Sequence, residues 1–117
     1  MKTKIKGILL DIDNTLYDYN QSHSFAKKRL IDYCSNRFNL PKELIISSYE
    51  KGRYFVHIEL SETAASHNRL LYIQKMLEIL NLNPTVYAMD IYNIYWDSFL
   101  EHLIPFDGIY QFLEKFK

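Results

Sequence analysis

One strand-like segment in a chain otherwise patterned for helix constrains everything else. Residues 5–12, IKGILLDI, form a short apolar run without helical spacing and with a glycine near its start. That pattern predicts a strand covered on both faces in a parallel sheet. A strand carries a row of N–H and C=O groups that need neighbours on both sides, and no second segment here clearly supplies them. The stretches ELIISSYE (43–50) and DIYNIYW (90–96) have the β-branched and aromatic content of strands, but helical spacing surrounds both, so helix is favoured. The expectation is one parallel strand whose sheet is incomplete within 117 residues.

The rest reads as helices. Ser22 or Ser24 is placed to cap a first helix through about Phe38, which Asn39, Leu40 and Pro41 break. A second helix runs from near Pro41 toward Ile58, weakened by Gly52 at a cost of about 1 kcal/mol against alanine. Ser61, Glu62 and Thr63 open a third, in which Leu70, Ile73, Leu77 and Leu80 recur at steps of three and four. Asn83 and Pro84 mark a fourth start, with proline where its missing N–H does no harm and Met89, Tyr92, Trp96, Phe99 and Leu103 as the buried stripe. Pro105 interrupts, Asp107 is a candidate cap, and GIYQFLEKFK begins a last helix.

Apolar residues make up 48% of the chain, ample for the core of one modest domain, and the ten tyrosines and seven phenylalanines are expected to fill it. Fourteen basic side chains balance fourteen acidic ones, and Lys27, Lys28 and Arg29, the longest basic cluster, read as a solvated helix face. No block tracks phosphates along a strand, so nucleic acid is not an expected partner. The apolar runs are too short to span a bilayer and the N-terminus lacks a secretion signal, so no membrane partner and a cytoplasmic location are expected. The single cysteine, Cys34, has no internal disulfide partner and reads as a buried structural thiol.

Two carboxylates, Asp11 and Asp13, stand at the end of the strand-like run. At period two they project from the same side of an extended chain, at the strand end where open α/β sheets bind ligands. Close like charges disfavour ionisation, and a bound Mg²⁺ offsets that repulsion. Thr15 is placed to hold the turn and Asn14 to tolerate unusual backbone angles. Such residues are also ordinary after a strand; the apolar run before them and Leu16 after them favour chemistry. Elsewhere His57, Glu59, Glu62 and His67 lack the spacing of a helical metal pair and read as a solvated junction. His67 and Arg69 lie where a phosphate or base could be met, although exposed helix surface explains them as well.

At LLDIDNTLYD (9–18) the sequence resembles the haloacid dehalogenase-like hydrolases, whose first motif is a hydrophobic strand ending in D-x-D-x-T. Leu10 stands where many members have phenylalanine, a conservative departure. The resemblance implies an α/β, Rossmann-like core, represented here by its first strand and catalytic loop (1–18), a helical cap of the first subgroup (19–103) and a return to the core (104–117). It implies Asp11 as nucleophile and Mg²⁺ ligand, Asp13 as general acid and base with its backbone carbonyl on the metal, and Thr15 as loop stabiliser. The implied activity is Mg²⁺-dependent hydrolysis of a small phosphorylated metabolite, such as a nucleotide or sugar phosphate; an aspartate at position 13 favours phosphatase over dehalogenase. The family's later serine or threonine, its lysine and its further acids have no match here. The chain is therefore expected to be truncated and inactive alone, with a C-terminal segment or second chain completing the core. The competing expectation is a non-catalytic helical interaction module or a degenerate remnant.

Overall fold

A computed structural model describes residues 3–117. Five α-helices follow in order: α1 (Tyr19–Phe38), α2 (Lys42–Glu59), α3 (Arg69–Ile79), α4 (Pro84–Glu101) and the short α5 (Ile109–Glu114), with one 3₁₀ turn, Ala64–His67, ahead of α3. α2 packs on α3, α3 on α4, α4 on α1 and α1 on α2, which closes the four long helices around one core. Leu30, Ile45, Tyr49, Tyr72, Ile73, Met76, Leu77, Ile91 and Tyr95 fill its centre. Each such side chain contributes about 1.5–3 kcal/mol when taken out of water. Cys34 is fully buried among them, and burial pushes its thiol up to about 12, which makes it the inert structural thiol expected. Among the described residues no helix is long and apolar enough to cross a membrane.

Local chemistry sets the helix ends. The carboxylate of Asp18, rather than Ser22 or Ser24, caps α1 by accepting from the N–H of Gln21 at 3.3 Å. Ser22 is instead buried, and its hydroxyl donates to the carbonyl of His102 at 3.2 Å, tying the start of α1 to the end of α4. α1 and α3 end by one device: Asn39 and Asn81 turn left-handed at φ 51° and 56°. The next residue's N–H then reaches back into the last turn, Leu40 to Ser35 at 3.2 Å and Leu82 to Leu77 at 2.9 Å. α3 does not begin at Ser61, because the chain turns there with Glu62 at φ 64°; it waits for Asn68, which accepts from the N–H groups of Leu70 and Leu71. Asn83 and Pro84 open α4 as expected.

The buried stripe of α4 is Ala88, Ile91, Tyr95 and Phe99, one position round from the expected face, which leaves Met89 53% exposed. Tyr92, Trp96 and Leu103 flank it, half-buried. Gly52 is a contact rather than a flaw: a β-carbon there would lie 2.9 Å from the carbonyl oxygen of Tyr72 and 3.0 Å from the N of Met76, so glycine lets α2 and α3 close up. No side chain caps α5; Gly108, at φ 84°, precedes it where Asp107 was expected to act.

The expected strand is not formed. Residues 5–12 have no ladder partner among the described residues, and the only β pairings are isolated bridges, Asp13 with Tyr17 and Tyr17 with Pro105. Without neighbours a strand has nothing to hold it, and Ile5, Leu9 and Ile12 stand in solvent. The described part is thus mostly helical and contains no α/β sheet. Residues 5–10 instead run beside α5, with a cavity of about 510 Å³ between them, and α5 packs on no other helix among the described residues. The radius of gyration, 18.2 Å, exceeds the roughly 13 Å of a compact chain this long, because this pair of segments projects from the bundle.

Candidate active site

Residues 11–17 form a tight turn. The carbonyl of Ile12 accepts from the N–H groups of Thr15 at 3.1 Å and Leu16 at 2.9 Å. Asn14 takes the left-handed backbone at φ 60°, as its type allows, and its side-chain oxygen accepts from the N–H of Tyr19 at 3.0 Å. This turn, and not the pleat of a strand, sets the two carboxylates. Thr15 donates to Asp11 Oδ2 at 3.2 Å, and the hydroxyl of Tyr17 donates to Asp13 Oδ1. Both aspartates are solvent-exposed.

Tyr17 was not legible as a site residue. It is 5% exposed, its ring meets Phe99 edge-on at 5.9 Å, and burial, reinforced by the Asp13 carboxylate, raises its pKa. The phenol therefore stays protonated and donates. Next to it the N–H of Phe106 donates to the carbonyl of Leu16 at 2.9 Å, so the segments that lead into and out of the bundle are paired.

A second polar site opens on the surface of the bundle, where α1, α2 and the start of α3 meet. A cavity of about 370 Å³ is lined by residues of α1, α2, the 3₁₀ turn and α3, among them His23, Lys27, Arg53, His57, His67 and Arg69. His67 and Arg69, the two candidate substrate residues, are thus brought to one wall, His67 exposed and Arg69 half-buried. Arg69 donates through Nε to the hydroxyl of Tyr95 at 3.0 Å and through Nη2 to that of Tyr19, and its guanidinium lies 5.3 Å from the ring centres of Tyr72 and Tyr95. Among the described residues no carboxylate pairs with it. Glu50, also in the wall, is paired with Lys27 and Arg53, and the Lys27 ammonium holds its carboxyl below the usual range.

Arg69 donates to the Tyr95 oxygen, and the same hydroxyl lies 2.7 Å from His23 Nδ1. Burial, aided by the charges of Arg69, Lys27 and Arg53, pushes His23 down to about 4. Tyr72 donates to the Ser66 carbonyl at 2.7 Å, so His57 Nε2 must donate to Tyr72, also at 2.7 Å. His57 and His67 lie ring to ring at 5.2 Å, while Glu59 faces Lys75 at 3.4 Å, so the junction is split between cavity and surface. Lys27 departs from the solvated face expected of it: it is half-buried, lying 5.5 Å over the Tyr49 ring. Sequence spacing gives no sign of His23, which meets Tyr95 across 72 positions.

Among the described residues no group of three or more His, Cys, Asp or Glu is placed to hold a metal ion. The donors at Asp11 and Asp13 are nevertheless hard oxygens on an exposed turn, and Mg²⁺ is commonly held by one or two carboxylates with water and substrate phosphate completing its shell. The residues present fit that mode.

No family model matches the chain, and no solved structure matches it. The chain is similar to a curated protein of Halopiger xanaduensis named ribulose-1,5-bisphosphate 5-phosphatase, with 31% identity over 99 residues, which cover 83% of this chain and 41% of that protein. The matched region is therefore less than half the length of that relative.

Proposed function

We propose that residues 11–17 are the nucleophile turn of a Mg²⁺-dependent phosphomonoester phosphatase of the haloacid dehalogenase-like type. The observation that carries this reading is the exposed Asp11 and Asp13 pair, each held by its own hydroxyl donor, Thr15 or Tyr17, on a turn closed by Asn14. The similarity to a protein named as a phosphatase supports it. Asp11 attacks phosphorus as the bond to the leaving oxygen breaks, which yields an aspartyl-phosphate, and Asp13 gives that oxygen its proton. Asp13 then takes a proton from water, which attacks the phosphoryl group and frees Asp11. Tyr17 occupies one oxygen of Asp13 and leaves the other for the mobile proton. The Asp11 carboxylate and the Asp13 backbone carbonyl would hold Mg²⁺, which neutralises charge on the phosphoryl oxygens when bound.

Residues 1–18 and 104–117 then belong to the catalytic core and 19–103 form a helical cap over it. The pairing of Leu16 with Phe106 and of Tyr17 with Pro105 supports that division, since an inserted cap leaves where it entered. The substrate is a small phosphorylated metabolite; the relative's name makes a sugar phosphate the first to test, ahead of nucleotides. We place the activity in the cytoplasm. A further segment or a second chain would cover Ile5, Leu9, Ile12 and Phe116 and supply the missing lysine and acids.

Asp11→Asn in the intact protein is expected to reduce Mg²⁺-dependent phosphatase activity by about a thousandfold or more. Unchanged activity overturns the nucleophile assignment. The same exposed side chains also favour a non-catalytic docking module; it predicts a stoichiometric complex that survives Asp11→Asn and no Mg²⁺-dependent turnover in the parent protein.

A further inference from the structure

We propose that the open cavity between α1, α2 and the start of α3 is a phosphate site centred on Arg69, separate from the Asp11 turn. Three cations, Lys27, Arg53 and Arg69, face one carboxylate, Glu50, in its wall. Glu50 is engaged by Lys27 and Arg53, whereas Arg69 meets only neutral phenols. A half-buried cation without a counter-ion is costly unless an anion arrives to pair with it. The excess of two positive charges matches a phosphate dianion, and the planar guanidinium suits its oxygens.

Other polar residues share the wall. Tyr49 lies in the same wall, 1% exposed, and its hydroxyl has no partner among the described residues. His23 also lines the wall, its Nδ1 2.7 Å from the Tyr95 hydroxyl. Burial first, and the neighbouring cations second, lower the basicity of His23 and His57.

Asp11, Asp13 and Thr15 are not in the cavity wall, so the anion bound here is not the group transferred at Asp11. Tyr19 links the two places: its N–H is held by Asn14, its hydroxyl takes Arg69, and its ring stacks on His23 at 5.5 Å. Resting on the phosphatase reading, the substrate is then a metabolite with a second phosphate, which the bundle holds while Asp11 attacks the first.

The test is calorimetric titration of inorganic phosphate into the intact protein with EDTA present, beside acetate as a carboxylate control. Saturable phosphate binding is expected, unchanged in Asp11→Asn, about tenfold weaker in Arg69→Gln and several-fold weaker in Arg53→Gln. Acetate is expected to bind more weakly than phosphate. Arg69 also packs on two rings, so Arg53→Gln, on an exposed side chain, keeps the test valid should Arg69→Gln fail to fold. The site is overturned by absent saturation, by equal acetate affinity, or by binding lost in Asp11→Asn yet kept in the arginine variants.

A kinetic comparison separates this inference from the catalytic one. Arg53→Gln is expected to raise KM for a bisphosphorylated sugar several-fold and to leave KM for p-nitrophenyl phosphate unchanged. Equal effects on both substrates overturn the second-phosphate role and leave the nucleophile assignment standing. Full activity in Asp11→Asn overturns the nucleophile assignment while phosphate binding in the cavity remains separately measurable.

Discussion

In the proposed mechanism the Tyr17 hydroxyl does more for Asp13 than hold it still: by engaging Oδ1 it leaves the other oxygen to carry the proton. Tyr17→Phe keeps the ring against Phe99 and removes only that donor. Activity is expected to fall about tenfold, and further for an alkyl phosphate than for p-nitrophenyl phosphate, because only the poorer leaving group needs its proton from a well-placed acid. A uniform loss across leaving groups would assign Tyr17 a structural role alone. His23 makes a second prediction. Its pKa falls from 6.5 to about 4 on folding, so between these values the unfolded chain binds the proton and the folded one does not. Stability is therefore full above this window and declines as pH falls through it. Denaturant melts at about pH 7.5 and about pH 5 should show that decline, and His23→Asn, which keeps a hydrogen-bond partner for Tyr95, should shrink it. His57, also pushed down by burial, leaves part of the slope in place. The turn at Asp11, Asp13, Asn14 and Thr15 was legible because its hydrogen bonds and its left-handed residue fall within a short run of the sequence. Tyr17 and His23 were not: Tyr17 bonds Asp13 nearby but is held in place by burial against Phe99, and His23 meets Tyr95, both tertiary facts.

At the scale of elements, α2 and α3 meet through Gly52, where propensity and packing oppose each other. Alanine would favour the helix by up to about 1 kcal/mol, yet its β-carbon would press on backbone atoms of α3 that have little room to move. Overpacking of this kind costs about 1–3 kcal/mol, so Gly52→Ala is expected to lower stability by about 1–2 kcal/mol, read in chemical denaturation. A rise would mean that α3 shifts freely. The four long helices were legible in the sequence, because the Asn-Leu-Pro and Asn-Pro breaks state helix ends chemically. Their starts were less so. Asp18 and Ser22 are both good caps, and what excluded Ser22 was its burial against His102, a tertiary fact. The face of α4 was misread by one position for the same reason: a helix with aromatic residues nearly all round offers several stripes, and the packing against α1 and α3 chooses one.

At the scale of the whole molecule, Ile5, Leu9, Ile104, Phe106, Tyr110 and Phe116, all in the segments before and after the bundle, are apolar side chains left exposed among the described residues. The 117-residue chain on its own is expected to self-associate as concentration rises, seen in sedimentation velocity, and Leu9→Lys with Phe116→Lys should restore the monomer. A monomer at every concentration would show that these segments fold back. The strand at 5–12 was legible as an apolar run but not as an absent one, since a strand exists only through partners that a single segment cannot name. The bundle, by contrast, needs no such help, and its two ends share the hydrogen bond from Phe106 to Leu16. Under the proposed division into core and cap, whatever carries residues 16 and 106 meets the bundle as a junction no wider than a hairpin. Lengthening, shortening or exchanging the helices therefore adds almost no loop-closure entropy to the carrier, and the pocket around Arg69 is free to diverge while the turn at Asp11 stays unchanged.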